Sequence, residues 1–353
     1  IENLGYLGMG SEVGLFENEL EFFFGNPNYK TICVNSGTSA LHLAIESITK
    51  PGDEVLVPSL TYVATFQAIS AAGCIPISCE VNKDTLLLDT KDAKKRISKK
   101  TKVILPVFYA GNPFNYMEIY KFANEYNLRV IEDAAHAFGC MENNIKIGAQ
   151  GDIVCFSFDG IKNITSGEGG AIFSNDIKVI DKCKDARLLG VIKDSDARYK
   201  GKRSWDFDVT SQGYRYHMSN INAAIGRVQL SRFIDESLGL KRRDLALLYV
   251  KLLNKNKHIT LLKINYDFCV PHIFPIMVNE VSRDILIKKF NENNIQYGLH
   301  YKPNHLLTRF KANYSLEVTE CVYKKLFTLP LHPDLEFEDV KNISNLINNS
   351  ITK

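Results

Sequence analysis

Ile153-Val154-Cys155-Phe156-Ser157-Phe158-Asp159-Gly160-Ile161-Lys162-Asn163-Ile164-Thr165-Ser166-Gly167-Glu168-Gly169-Gly170-Ala171-Ile172-Phe173 is the stretch on which the reading of the whole chain turns. Its apolar runs, 153–156 and 171–173, are short and bounded by turn residues, so both read as buried strands. The glycines between them permit tight or left-handed backbone. Lys162 therefore lies on a strand-to-strand connection, and loops on a rigid scaffold are where chemistry concentrates. Such a lysine is either a solvated surface cation or, once deprotonated, an amine that forms a Schiff base with an aldehyde cofactor. Three other segments bear on that choice.

Working outward, apolar runs at 31–34, 54–57, 75–79, 103–107 and 128–132 alternate with helical patterns at 39–48, 61–72, 90–98 and 116–126. This alternation predicts a mostly parallel sheet covered by helices, with any site outside the carboxyl ends of the strands. Beyond Asp176 the texture changes. Helices are expected at 179–188, 219–233 and 238–254, around a charged, poorly periodic stretch at 193–208 that holds the only tryptophan, Trp205. A second α/β unit follows, with strands near 259–262 and 270–278 and helices near 283–293 and 337–349. The expected division is a large domain over 1–235 and a small one over 236–353.

The three segments all follow predicted strands. Asn35-Ser36-Gly37-Thr38-Ser39-Ala40 enters a helix. A glycine and hydroxyl residues there offer a phosphate N–H groups, O–H donors and the positive end of the dipole, or they mark plain capping by Thr38 or Ser39. Val130-Ile131-Glu132-Asp133-Ala134-Ala135-His136 puts two acids at a strand end. Asp133 is a helix cap, or a carboxylate that keeps a pyridine nitrogen protonated so that the ring accepts electrons. His136 falls beside it as a structural or a catalytic histidine. Pro58-Ser59-Leu60-Thr61-Tyr62-Val63-Ala64-Thr65 ends a strand and opens a helix, with Tyr62 either stacked on a flat ring or packed in the core. Taken together, these are the parts that pyridoxal 5′-phosphate (PLP) needs, in chain order.

With these residues and Phe16-Glu17, Pro51-Gly52-Asp53-Glu54-Val55, Met218-Ser219, Ala223-Ala224-Ile225-Gly226 and Leu329-Pro330-Leu331-His332-Pro333, the chain resembles the DegT/DnrJ/EryC1/StrS sugar aminotransferases from about Gly10 to His332. The resemblance implies the α/β, aspartate-aminotransferase-like fold type I of PLP-dependent transferases: a large domain with a mostly parallel mixed sheet and a small C-terminal α/β domain. It implies that Lys162 binds the cofactor aldehyde and moves protons, that Asp133 pairs with the ring nitrogen and that Tyr62 stacks on the ring. Gly37, Thr38, Ser39 and Ser157 hold the phosphate, and His136 lies near the ring oxygen. His300-Tyr301-Lys302-Pro303 contacts the sugar nucleotide; Lys302 meets a diphosphate or stays solvated in a turn. A homodimer with shared active sites is implied as well.

Two departures stand out. Gly213-Tyr214-Arg215-Tyr216-His217-Met218-Ser219 has arginine where the family commonly has asparagine. Arg215 either clamps the partner subunit's cofactor phosphate through paired N–H donors or is a surface arginine. Phe108-Tyr109-Ala110-Gly111 lacks the histidine that relatives often carry before the aromatic. Family members that dehydrate carry histidine in place of Lys162, so the lysine points to amino transfer. The resemblance implies transfer from L-glutamate, through the pyridoxamine (PMP) form, to a nucleotide-linked keto-deoxysugar. Its 4-keto-6-deoxyhexose C4 is expected first and C3 amination second, for surface polysaccharide such as the O-antigen of lipopolysaccharide. A sugar dehydratase and a PLP-binding regulator are the other readings.

Composition narrows the field. Charges nearly balance at a formal +3, with no clustered basic face for nucleic acid. No apolar run has membrane-spanning length, and no signal peptide is read. Eight cysteines without metal spacing suit reduced thiols and a cytoplasmic protein, and no metal site is expected. The opening Ile1-Glu2-Asn3-Leu4-Gly5 reads as the tail of an interrupted helix with a segment missing before it.

Overall fold

The computed structural model describes residues 7–351 except 114, 193, 201 and 203–205. The expected helix tail at 1–5 and Trp205 lie outside the described residues.

The elements in chain order are α1 (Ser11–Phe24), β1 (Lys30–Val34), α2 (Gly37–Ile48), β2 (Glu54–Pro58), α3 (Val63–Ala71), β3 (Ile75–Cys79), α4 (Thr90–Arg96), β4 (Thr101–Ile104), α5 (Tyr116–Glu125) and β5 (Arg129–Asp133). The short hairpin β6 (Met141–Glu142) and β7 (Ile145–Lys146) precedes β8 (Ile153–Ser157) and β9 (Gly170–Ser174). Then come α6 (Ile177–Ala186), α7 (Asp194–Tyr199), α8 (Asn220–Asp235) and α9 (Leu238–Leu253). The last elements are β10 (Thr260–Leu261), β11 (Phe274–Met277), α10 (Glu280–Glu292), α11 (Glu317–Lys325), β12 (Leu326–Leu329) and α12 (Phe337–Ser350).

Seven strands form one sheet in the order β1-β9-β8-β5-β4-β2-β3. All its pairings are parallel except those of β9, which runs against both β1 and β8. The reason lies in the quoted stretch. Parallel neighbours need a crossover, whereas β8 and β9 are joined by a direct loop and must run antiparallel. Strands such as β8 and β9 are buried along their whole length, as a sheet covered on both faces requires. On one face α2 is buried almost all round, through Ala40, Leu41, Leu43, Ala44 and Ile45.

Because β1, β2, β4, β5 and β8 share one direction, the turns that follow them leave the same edge of the sheet. Asn35–Ser39, the 59–62 turn, Tyr109, Asp133–His136 and Lys162 are thereby gathered from across the sequence. A three-stranded antiparallel sheet, β10-β11-β12, has its own core of Leu245, Tyr249, Phe274, Phe290, Phe327 and Val340.

Helix α1, which the sequence reading did not predict, buries Val13, Phe16, Glu17, Leu20 and Phe24 on one stripe. Buried Glu17 receives the fully buried Arg187 guanidinium at 2.6 Å and the Cys33 N–H at 2.8 Å, which ties α1 to β1 and to the end of α6. α11 and β12 were also missed: helix passes into strand at Lys325–Leu326 without a glycine or proline to mark the change. Within the stretch expected to be aperiodic, α7 forms a short helix.

Candidate active site

Ser36, neither Thr38 nor Ser39, is the N-cap of α2; its Oγ accepts from the Ser39 N–H at 3.0 Å. This corrects the capping expectation and places Gly37, Thr38 and Ser39 in the first turn. The Ser39 hydroxyl donates to Asn35 Oδ1 at 2.7 Å. A Cβ on Gly37 would stand 2.7 Å from Ser157 Cβ and 3.1 Å from its Oγ. Gly170, which opens β9, lies equally tight against this turn, since a Cβ there would reach the Ser36 carbonyl oxygen at 2.5 Å. The two glycines let the α2 N-terminus settle directly on Ser157, with its first-turn N–H groups at the strand edge.

Asp133 ends β5 and is buried. No helix follows it, so it is not a cap. Its Oδ2 accepts from the Thr65 hydroxyl at 2.8 Å and its Oδ1 from the Ala135 N–H at 3.2 Å. Burial pushes this carboxyl up; Thr65, Ala135 and the Lys162 charge pull it back down. Thr65, in the first turn of α3, was not singled out from sequence, although it closes the quoted 58–65 segment.

Lys162 projects from the β8–β9 loop. Asn163 braces that loop through Nδ2, which donates to Phe138 O at 3.0 Å and Val270 O at 3.1 Å, and Asn222 Nδ2 holds Ser166 O at 2.7 Å. Burial holds the Lys162 amine below its usual range, against the pull of Asp133 and Asp159. Its Nζ lies 3.5 Å from Nε2 of His272, a buried histidine that sequence reasoning missed. A lone histidine between Pro271 and a strand carries no positional signal.

His136 is buried with its ring 4.4 Å from the His272 ring. The Ala110 N–H donates to its Nδ1 at 3.3 Å, which leaves Nε2 as the protonated nitrogen, 3.2 Å from the Tyr301 hydroxyl. Burial and then the charge of Lys162 keep this imidazole well below its usual pKa, hence neutral. Tyr62 is 58 % exposed at the N-cap of α3, which excludes the core-aromatic alternative, and its ring lies 5.6 Å from that of Tyr301.

The 300–305 segment is clamped over the 59–62 turn. Asn304 Nδ2 donates to the carbonyls of Ser59 and Thr61 at 3.1 and 2.8 Å, and Ser59 Oγ meets His305 Nδ1 at 2.7 Å. His300 is anchored through Nδ1 to Thr328 Oγ1 at 3.0 Å. A cavity of about 1010 Å³ opens on Lys162 and is also lined by His272, His300, Tyr301, Arg242 and Thr328. Lys302 is exposed and does not line it.

The structure thus brings Lys162, Asp133 and His136 together, joins Gly37 to Ser157 and adds His300 and Tyr301. Arg215 is different. Its backbone lies beside β1, where its carbonyl accepts from Asn35 Nδ2 at 3.4 Å, but its side chain is exposed.

A lowered amine facing a buried acid, with an anion-receptive helix start beside them at the same sheet edge, belongs with the PLP-dependent transferases of mixed α/β fold. Comparison with known proteins narrows the class. The chain belongs to the DegT/DnrJ/EryC1/StrS aminotransferase family, whose profile matches residues 1–348. It is 31 % identical over 359 residues to the uncharacterized protein MJ1066 of Methanocaldococcus jannaschii, covering 99 % of this chain and 92 % of that one. It superposes with a TM-score of 0.89 on Helicobacter pylori PseC, an aminotransferase involved in the biosynthesis of pseudoaminic acid; identity is 27 %, over 99 % of this chain and 94 % of that one. It superposes with a TM-score of 0.85 on NtdA of Bacillus subtilis, solved with bound cofactor PMP; identity is 28 %, over 98 % of this chain and 79 % of that one. The protein is accordingly a member of a family of PLP-dependent sugar aminotransferases.

Proposed function

We propose that this protein transfers the amino group of L-glutamate to the C4 carbonyl of a dTDP-linked 4-keto-6-deoxyhexose, with PLP and its PMP form as cofactor. Amination at C3 is the neighbouring outcome for the same machinery. The observation that carries the reading is the meeting at one sheet edge of the Lys162 amine, 3.5 Å from His272, whose ring in turn lies against His136, with the buried Asp133 carboxylate held by Thr65.

The residues present fit the cofactor. The Ser36–Ser39 turn and Ser157 make an anion cradle that any side chain on Gly37 would fill. Lys162, Asp133, His136 and Tyr62 receive the aldehyde, ring nitrogen, ring oxygen and ring face. When bound, PLP supplies an electrophilic carbon and a ring that accepts electrons. Burial leaves Lys162 able to lose its proton, so its Nζ can attack a carbonyl carbon or carry a proton to and from substrate carbon. Asp133, held in place by Thr65 and Ala135, ionises when a cation lies against it and fixes a proton on that cation. His136 donates its Nε2–H toward Tyr301 or a ring oxygen. His300 and Tyr301 line the entry for the sugar nucleotide, and exposed Lys302 meets its diphosphate through charge.

Residues 1–235 form the cofactor-binding domain and 236–353 the smaller one. Two copies pair so that exposed Arg215 of each reaches the other's cofactor phosphate. The enzyme works in the cytoplasm and makes amino sugars for surface polysaccharide such as the O-antigen of lipopolysaccharide. Among the described residues no helix is long and apolar enough to cross a membrane.

The test is a panel of dTDP-, UDP- and GDP-linked keto-sugars incubated with PLP-loaded protein and L-glutamate, read by mass spectrometry. Transfer of an amino group to the dTDP-4-keto sugar is expected. Release of a deoxygenated product without amino transfer, or no reaction of glutamate with bound PLP, refutes the proposal.

A further inference from the structure

We propose that His272 is a positioning residue that holds the Lys162 amine in its uncharged form by donating its Nε2–H to the Nζ lone pair. The inference rests on the reading of Lys162 as nucleophile and adds a partner that no motif marks. The ring is buried, and its Nε2 is 3.5 Å from Lys162 Nζ. That separation is at the long end of hydrogen-bond distances.

The argument turns on the other nitrogen. Nδ1 of His272 is buried and has no hydrogen-bond partner among the described residues. Neutral imidazole carries its proton on one nitrogen only. On Nδ1 that proton would be a buried donor with nothing to meet; on Nε2 it points at Lys162. A bare lone pair is the less costly group to leave unpaired. An ammonium has no lone pair to accept the proton, so this tautomer favours neutral lysine.

The ring is fixed in this pose. Its own carbonyl accepts from Arg242 Nη1 at 3.4 Å, its ring centre lies 4.4 Å from that of His136 with the planes tilted by 46°, and Asn163 ties Val270, two residues earlier, to the lysine loop. The titratable groups facing Lys162 are Asp133 and Asp159, which favour its cation, and the imidazoles of His136, His272 and His300. Burial, with Lys162, Arg242 and His300 around it, keeps His272 itself uncharged.

Two measurements on cofactor-free protein test this. In wild-type protein labelled with 15N-histidine, nitrogen–proton correlation spectra should assign the His272 proton to Nε2; a proton on Nδ1, or an imidazolium at neutral pH, overturns the proposal. The Lys162 pKa is then read from the pH dependence of acetic anhydride labelling, quantified by mass spectrometry. His272→Phe keeps the site dry but lacks the donor, and should raise that pKa by about half to one unit, a three- to tenfold loss of neutral amine at fixed pH. His272→Gln, which restores an N–H, should return it toward wild type. Equal values in wild type and His272→Phe overturn the proposal, and if that variant does not fold the wild-type tautomer decides alone. Neither readout needs PLP. Failure of Lys162 to form a borohydride-stable adduct with PLP would instead sink the functional reading and leave the tautomer intact.

Discussion

Replacing Gly37 by alanine tests the cradle at its tightest point. The added Cβ would stand 2.7 Å from Ser157 Cβ, 3.1 Å from Oγ and 3.2 Å from Cα. Carbon atoms in contact prefer about 3.5–4.0 Å, so Ser157 and the helix start must part by roughly 1 Å. Oγ can turn aside, but Cβ and Cα are fixed by the backbone, and Ser157 ends a strand paired on both sides. Forcing in one methyl at such a site costs about 1–3 kcal/mol, while alanine returns up to ~1 kcal/mol of helix propensity. Stability therefore falls by only about 0–2 kcal/mol, but the gap between the α2 N-terminus and Ser157 no longer matches an anion. Misplacing those donors should weaken PLP binding about 10- to 100-fold, since 1.4 kcal/mol is tenfold. Cofactor-free variant would be titrated with PLP by fluorescence, with urea unfolding run in parallel. PLP affinity within twofold of wild type would refute the assignment of this turn as the cradle.

Asp133→Asn removes the only charge Thr65 and Ala135 hold in place, and should lower kcat on the order of 10²- to 10³-fold with PLP still bound, measured by steady-state turnover beside cofactor stoichiometry. With two copies paired as proposed, Arg215→Ala should weaken PLP binding several-fold while leaving the fold of each copy intact; unchanged affinity would assign this arginine to the surface alone. Glu132 is buried between the hydroxyls of Tyr116 and Tyr120, at 2.5 and 2.6 Å, and burial raises its carboxyl from 4.5 to about 8. The folded protein therefore keeps a proton that the unfolded chain gives up, so this contribution is full below the unfolded pKa and fades as the pH rises toward 8. Relative to wild type, Glu132→Gln should gain up to ~1.4 kcal/mol of stability per pH unit between about pH 5 and 7.5; a difference independent of pH in urea melts would contradict the assigned protonation.

What could be read from the chain alone was whatever is local. The loop that carries Lys162, the carboxylate at the end of β5 and the glycine-hydroxyl entry to α2 announce themselves through apolar runs broken by turn residues. Alternating strands and helices then imply one sheet edge where these turns meet, and the observed strand order delivers it. Tertiary structure decided whatever depends on contacts between distant segments. Thr65 as the partner of Asp133, Arg187 buried against Glu17 and His272 against Lys162 join residues from 68 to 170 positions apart. Neither spacing nor propensity encodes such pairs. Burial sets their protonation and their energy, and burial exists only once the elements have packed.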